Sequence, residues 1–227
     1  MNQPASAPLE RFYAALVRLV DQQGMETLRE ASVRRDLPVR GVYFFFDPHE
    51  RRRTTDQLRV VRVGTHALKR GARSTLRGRL RQHLGARAGH GNHRGSIFRL
   101  HVGAALLARD GSPLATWGVR SSATAEVRQA ERAHEQRVSR YIGDLRVLTL
   151  GITDEPGPDS LRGYVERNAI ALLSTVGRAV DPPSAAWLGH AAHRAPVRAS
   201  GLWNVNHVGE CMDEEFLERI EELVASG

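Results

Sequence analysis

A mixed α/β (α+β) fold is predicted by three observations. A dense β-branched and aromatic run, Val42-Tyr43-Phe44-Phe45-Phe46, is followed by a second apolar stretch from Leu58 to Val63. A third strand-like alternation lies far downstream, with Leu145, Val147 and Thr149 set against Arg146, Leu148 and Leu150. Around these strands, apolar residues recur at helical spacing.

The elements follow in order. Leu9, Phe12, Leu16, Leu19 and Val20 predict a helix over 9–23, and a second helical piece is expected over 24–35, ending before Pro38. Residues 1–38 are read as a helical N-terminal extension that covers a sheet face, and 39–227 as the main domain with helical insertions. The stretch 41–64 reads as a hairpin whose connection, Asp47-Pro48-His49-Glu50-Arg51-Arg52-Arg53, is a long basic loop. Ser74 or Thr75 caps a helix running to about Leu84. Gly, His and Arg dominate 85–95, which predicts a flexible loop. Helices are expected over 96–108 and 122–141, and a strand over 145–150. Asp159 or Ser160 opens a helix through Ser174. Pro182-Pro183 breaks the chain before a short helix near 184–189, and Asp213 to Ala225 forms the last helix. No internal repeat is visible.

The chain has 227 residues, enough for a sizeable core. Hydrophobic residues make up 41% and charged ones 26%, the balance of a globular protein. Lys and Arg total 33 against 25 Asp and Glu, a formal net charge of +8, and the pI is about 10.8. That excess favours a polyanionic partner, nucleic acid first, although an arginine-biased proteome would give the same totals. Cys211 is the one cysteine, which excludes an internal disulfide and a Cys-based zinc site. No signal peptide is seen, and no apolar run approaches the roughly 18 residues of a membrane span. A cytoplasmic location is expected. The absence of Gly-x-x-x-x-Gly-Lys-Ser/Thr argues against a nucleotide cofactor, and no Gly-x-Ser-x-Gly elbow occurs.

Several separated residues could together hydrolyse a phosphodiester. That reaction needs a deprotonated water, neutralisation of the charge gained by phosphorus, and a stabilised leaving oxygen. Glu166 is the hard oxygen ligand that Mg²⁺ or Mn²⁺ prefers. Arg79 offers a permanently charged fork to phosphate oxygens. Tyr43 or His83 can take or relay a proton. Arg79 and His83 are four apart and share one helix face. Each has a plain alternative: a core aromatic for Tyr43, a solvated basic face for Arg79, a surface residue for His83 and a dipole-favoured helix start for Glu166. His90, His93 and His101 lack the cysteine partners of a zinc site. Gly91-Asn92-His93-Arg94-Gly95 reads better as a loop contacting phosphates, with His93 and Arg94 as contacts. His190, His193 and His207 lie near Asn204 in sequence and could line the same cleft, although ordinary hydrogen-bonding roles suit them better.

The ordered set Gly41-Val42-Tyr43, Arg62-Val63-Gly64, Leu76-Arg77-Gly78-Arg79-Leu80, His83, Glu166 to Ile170 and Asn204 resembles the GIY-YIG nuclease superfamily over about residues 40–206. The resemblance implies a small central antiparallel sheet flanked by helices. It implies one divalent ion, Mg²⁺ or Mn²⁺, held by Glu166, and a catalytic set of Tyr43, Arg62, Arg79, His83, Glu166 and Asn204. It implies a metal-dependent endonuclease acting on nucleic acid, DNA first. Two departures stand out. Arg62 replaces the second motif's tyrosine, and a guanidinium cannot act as a general base. His66 is the nearest substitute for a lysine after that motif, and is expected to contact nucleic acid. The alternative is a nucleic-acid-binding module on the same fold that has lost catalysis, with Arg62 marking the loss. A structural or interaction protein is the third reading. The oligomeric state is open; two cuts on a duplex would favour a homodimer.

Overall fold

The computed structural model describes residues 7–86, 90–178 and 180–226. Helix α1 (Ala7–Gln23) buries Leu9, Phe12, Leu16 and Leu19, the residues whose spacing predicted it. Gly24, at φ 73°, closes it with a bond from its N–H to the Val20 carbonyl. The helix expected over 24–35 is mostly absent. Glu26–Thr27 forms a short strand, β1, and only Leu28–Ala31 is helical, as α2. A capping box sets that start: the Thr27 N–H donates to Glu30 Oε2 at 2.8 Å, and the Glu30 N–H donates back to Thr27 Oγ1. Residues 1–6, part of the expected extension, lie outside the described residues.

Strand β2 (Gly41–Arg51) and β3 (Leu58–Gly64) form the hairpin. β2 is longer than expected because pairing continues through Asp47–Arg51. The supposed basic loop is partly interior. Glu50 and Arg59 are buried together at 3.6 Å, and Arg52 is buried between Glu10 and Asp181 with its guanidinium 4.1 Å from the Tyr13 ring centre. Helix α3 (Leu76–Leu84) is capped by Thr75, whose hydroxyl accepts from the Gly78 N–H. Within 85–95, expected as a loop, His93–Gly95 forms one 3₁₀ turn, and 87–89 lie outside the described residues. Then come α4 (Ile97–Arg109), α5 (Ala125–Asp144), β4 (Arg146–Gly151) and α6 (Leu161–Leu173), each close to its sequence prediction. The helix expected near 184–189 is replaced by a 3₁₀ turn at Leu188–Ala191 and by α7 (Ala195–Ser200), which the sequence reading missed. Helix α8 (Phe216–Ala225) ends the chain.

Among the described residues the four strands form one antiparallel sheet in the order β1-β4-β2-β3. The pleat of β2 divides the core. Val42, Phe44 and Phe46 face α1, α6 and α8, while Tyr43 and Phe45 face α3, α4 and α5. α1 is thus built into one layer of the shared core, and Glu26–Thr27 pairs with β4 in the same sheet. β3 is one of the two edge strands, and its open side is covered by the segment at 203–204. The Trp203 N–H donates to the Val61 carbonyl at 2.7 Å, which satisfies edge groups that would otherwise be orphaned.

Candidate active site

The site forms where β3 ends, because an edge strand lets side chains from the two helical layers meet beyond it. Two glycines make the approach possible. A Cβ on Gly41 would lie 2.3 Å from the Leu150 carbonyl oxygen, so the first motif's glycine permits close β2–β4 pairing. A Cβ on Gly64 would lie 2.2 Å from the Tyr43 hydroxyl oxygen, so the second motif's glycine leaves room for the tyrosine ring across β3.

Tyr43 is fully buried, and its Oη lies 2.7 Å from His83 Nε2. The other ring nitrogen, Nδ1, lies 2.9 Å from Ser96 Oγ. His83 is also fully buried, and burial, reinforced by the cations Arg62, Arg79 and Arg99, drives its pKa well below the ordinary histidine value. The ring is therefore neutral at pH 7, with one nitrogen donating and the other accepting. Arg99 locks its position. Nη1 donates to the His83 and Leu84 carbonyls at 2.9 Å each, closing the end of α3, while Nη2 holds Glu135.

Glu166 arrives from the opposite layer on α6. The Thr65 N–H, immediately after Gly64, donates to its Oε1 at 3.2 Å. The residue keeps some exposed surface, but its carboxyl end is deep enough that burial raises its pKa. Arg62, the Thr65 N–H, His207 and Arg79 pull the other way. Arg162, one turn before Glu166, is fully buried; it donates to the His66 and Ala67 carbonyls and pairs with Asp154, pinning the chain that follows β3. Arg79 is half-buried, donates to Gln82 Oε1 at 2.7 Å, and its charge reaches both His83 and Glu166. Tyr43, Arg79, His83 and Glu166 therefore converge around Gly64-Thr65.

The remaining predicted residues are placed differently. Arg62 is interior: Nη1 donates to the Trp203 carbonyl at 2.9 Å and its guanidinium lies 4.7 Å from the Phe98 ring centre. It acts as a fixed cation behind His83 and Glu166. Asn204 uses both ends of its amide on β3, accepting from the Val63 N–H at 3.1 Å and donating to the Val63 carbonyl at 2.8 Å. That pairing holds the strand bearing Arg62 and Gly64. His66 is buried, with Nδ1 at 3.0 Å from the Ser74 carbonyl, and burial beside Arg162, Arg79 and Arg40 lowers its pKa to about 4. It is a neutral ring, so it cannot replace a lysine's charge. His93 and Arg94 do not form a solvent loop. His93 is buried, stacked on Trp117 at 3.9 Å, with Nδ1 2.9 Å from Glu135 Oε1. Arg94 pairs with buried Glu131 through two hydrogen bonds of 2.6 and 2.9 Å. A phosphate at either would have to displace a buried carboxylate.

Sequence reasoning missed Thr65, Ser96, Arg99 and Arg162. Only Arg162 left a signal, four residues before Glu166 on one helix face. Among the described residues no three His, Cys, Asp or Glu side chains cluster into a metal cage. One buried carboxylate fits a hard cation that keeps most of its waters, and does not fit zinc.

The GIY-YIG domain model matches residues 3–227, nearly the whole chain. The chain belongs to the GIY-YIG nuclease superfamily. The mixed α/β architecture with its small antiparallel sheet agrees with that membership, which also sets nucleic acid as the substrate class. The GIY-YIG motif residues Gly41, Tyr43 and Gly64 are the ones whose packing builds the site. Neither a curated protein nor a solved structure matches the chain. Among the described residues no helix is long and apolar enough to cross a membrane.

Proposed function

We propose that this GIY-YIG protein is a metal-dependent endonuclease that hydrolyses phosphodiester bonds in DNA. The observation that carries the reading is the juxtaposition of the Tyr43–His83 hydrogen bond with the Glu166 carboxylate around Gly64-Thr65. Glu166 would hold one Mg²⁺ or Mn²⁺, a cation that supplies charge stabilisation to the phosphoryl and leaving oxygens when bound. Tyr43 takes the proton of the attacking water as its own O–H proton passes to His83 Nε2. Neutral His83 can accept it at Nε2 in the tautomer whose Nδ1–H points to Ser96 Oγ, but the burial and the cations that keep the ring neutral make the imidazolium a costly, short-lived state. Arg79 neutralises the charge gathering on the phosphate oxygens. Arg62 does no proton chemistry; it favours ionised Glu166 and neutral His83 through space.

The test is plasmid nicking in Mg²⁺ or Mn²⁺ by the wild type and by Glu166→Gln. Wild-type nicking that the variant loses, with DNA binding retained, is the expected result. Failure of the wild type to cut DNA or RNA with any divalent metal would overturn the enzyme reading and leave the binding-module and interaction-protein alternatives. RNA cut in preference to DNA would correct the substrate.

A further inference from the structure

Two cavities open in line along one side of α5, away from the site just described. The first, of about 280 Å³, is lined by Arg128, Glu131, Arg132 and Glu135 together with residues 90–92. The second, of about 570 Å³, is lined by Ser139 with Arg29, Arg81 and residues 84–86. Positions 128, 132, 135 and 139 fall at steps of three or four and make one stripe of the helix. From Arg128 to Ser139 the stripe runs about 16 Å, the rise of about five nucleotides of one duplex strand.

The charge of this groove is positive in a specific way. Its two acidic members, Glu131 and Glu135, are buried and matched by Arg94 and Arg99. Although burial opposes ionisation, the bonds from His93 and Arg99 hold Glu135 at about 2, so it stays a paired anion. Arg128 and Arg132 are exposed and form no ion pair among the described residues; Arg128 acts on exposed Glu126 only through space. Arg81 uses only its Nε, on the Ser32 carbonyl at 3.0 Å, and Arg29 has a long, exposed contact of 3.4 Å with Asp144. A cluster of carboxylates, Asp213, Glu215, Glu218 and Glu222, lines a separate hollow between α6 and α8. The groove itself is thus bordered by the exposed guanidinium groups of Arg128, Arg132 and Arg81. Helix α3 joins the two regions, since Arg79 and His83 serve the site while Arg81 and Leu84 border the groove.

We propose that this groove along α5 is the track for the nucleic-acid backbone flanking the scissile phosphate, gripped by Arg128, Arg132, Arg81 and Arg29. The proposal rests on the nuclease reading and adds to it where the substrate lies. Phosphate contacts of this kind position a strand without reading its sequence.

The full-length protein is titrated against a short fluorescent DNA duplex in EDTA, so that no cleavage intervenes, with salt raised from about 50 to about 200 mM. Arg128→Gln/Arg132→Gln is compared with Arg29→Gln/Arg81→Gln and with Arg11→Gln/Arg18→Gln on α1. Each groove pair is expected to weaken binding about tenfold and to lower the log–log salt slope by about 1.8, while the α1 pair leaves both unchanged. Because Arg128 and Arg132 are exposed, that pair remains decisive if Arg29→Gln/Arg81→Gln proves unstable. Wild-type affinity and slope in the Arg128/Arg132 variant overturn the groove and leave the nuclease reading standing. No wild-type binding even at low salt removes both. Binding of poly-glutamate as tight as binding of duplex would assign the groove to an acidic protein and overturn it.

Discussion

Replacing Tyr43 by Phe separates catalysis from packing at the centre of the site. Phe keeps the ring, which is fully buried, tilted against Phe45 at 5.0 Å and accommodated by Gly64. Only the hydroxyl is lost, and with it the 2.7 Å bond to His83 Nε2. An interior imidazole nitrogen left without a partner costs about 1–3 kcal/mol. For a chain of this size each kcal/mol lowers Tm by about 2–4 °C, so a fall of about 2–12 °C is expected in a thermal melt. If the hydroxyl moves the proton of the attacking water, cleavage should fall a further ~10²–10⁴-fold at a temperature where the variant remains folded. Single-turnover nicking with excess protein measures that step apart from binding. Cleavage at the wild-type rate, alongside the expected loss of stability, would show that Tyr43 is a brace for His83 and refute its catalytic role.

Further expectations concern the neighbours. Glu166→Gln should raise thermal stability while abolishing cleavage: burial raises the folded-state pKa, so the ionised carboxylate opposes folding above that value, and the neutral amide does not. A lower Tm in Glu166→Gln would contradict this. Gly64→Ala should lose about 1–3 kcal/mol, read from the urea midpoint, because its Cβ would lie 2.2 Å from Tyr43 Oη; an unchanged midpoint would mean that the ring moves freely. Arg94→Ala should destabilise by about 3–5 kcal/mol by leaving Glu131 buried and unpaired, with the salt slope of DNA binding unaltered. Burial and nearby cations hold His66 and His101 at about 4, so both are neutral in the folded protein near pH 6, where unfolded histidine takes up a proton. Their contribution is complete above about pH 6.5 and declines as pH falls toward 4. Glu166 and Asp181, both raised by burial, act in the opposite sense. A urea midpoint that falls between pH 7 and 5 is expected, and one that rises would show that the carboxyls dominate.

Much of the scaffold was legible in the chain because its signals are local. The dense β-branched and aromatic run Val42–Phe46 marks a strand, and four-residue spacing places Arg79 with His83 on one helix face. Helix boundaries were readable where a cap was present, as at Thr75 and Ser160. Where tertiary pairing overrides local preference, reading failed: Glu26–Thr27 joins β4 instead of continuing a helix, and β2 extends through Asp47–Arg51 with its charges buried against Glu10, Arg59 and Asp181. The sequence by itself determined the residue types and order from which this family's site is assembled. Only the tertiary structure decided their partners: Arg62 and Asn204 turned inward onto β3 and Trp203, Arg94 given to Glu131, and His83 held between Tyr43 and Ser96. The physical reason is that burial and pairing are set by groups far apart in the chain, and charge type carries no information about which opposite charge will enclose it.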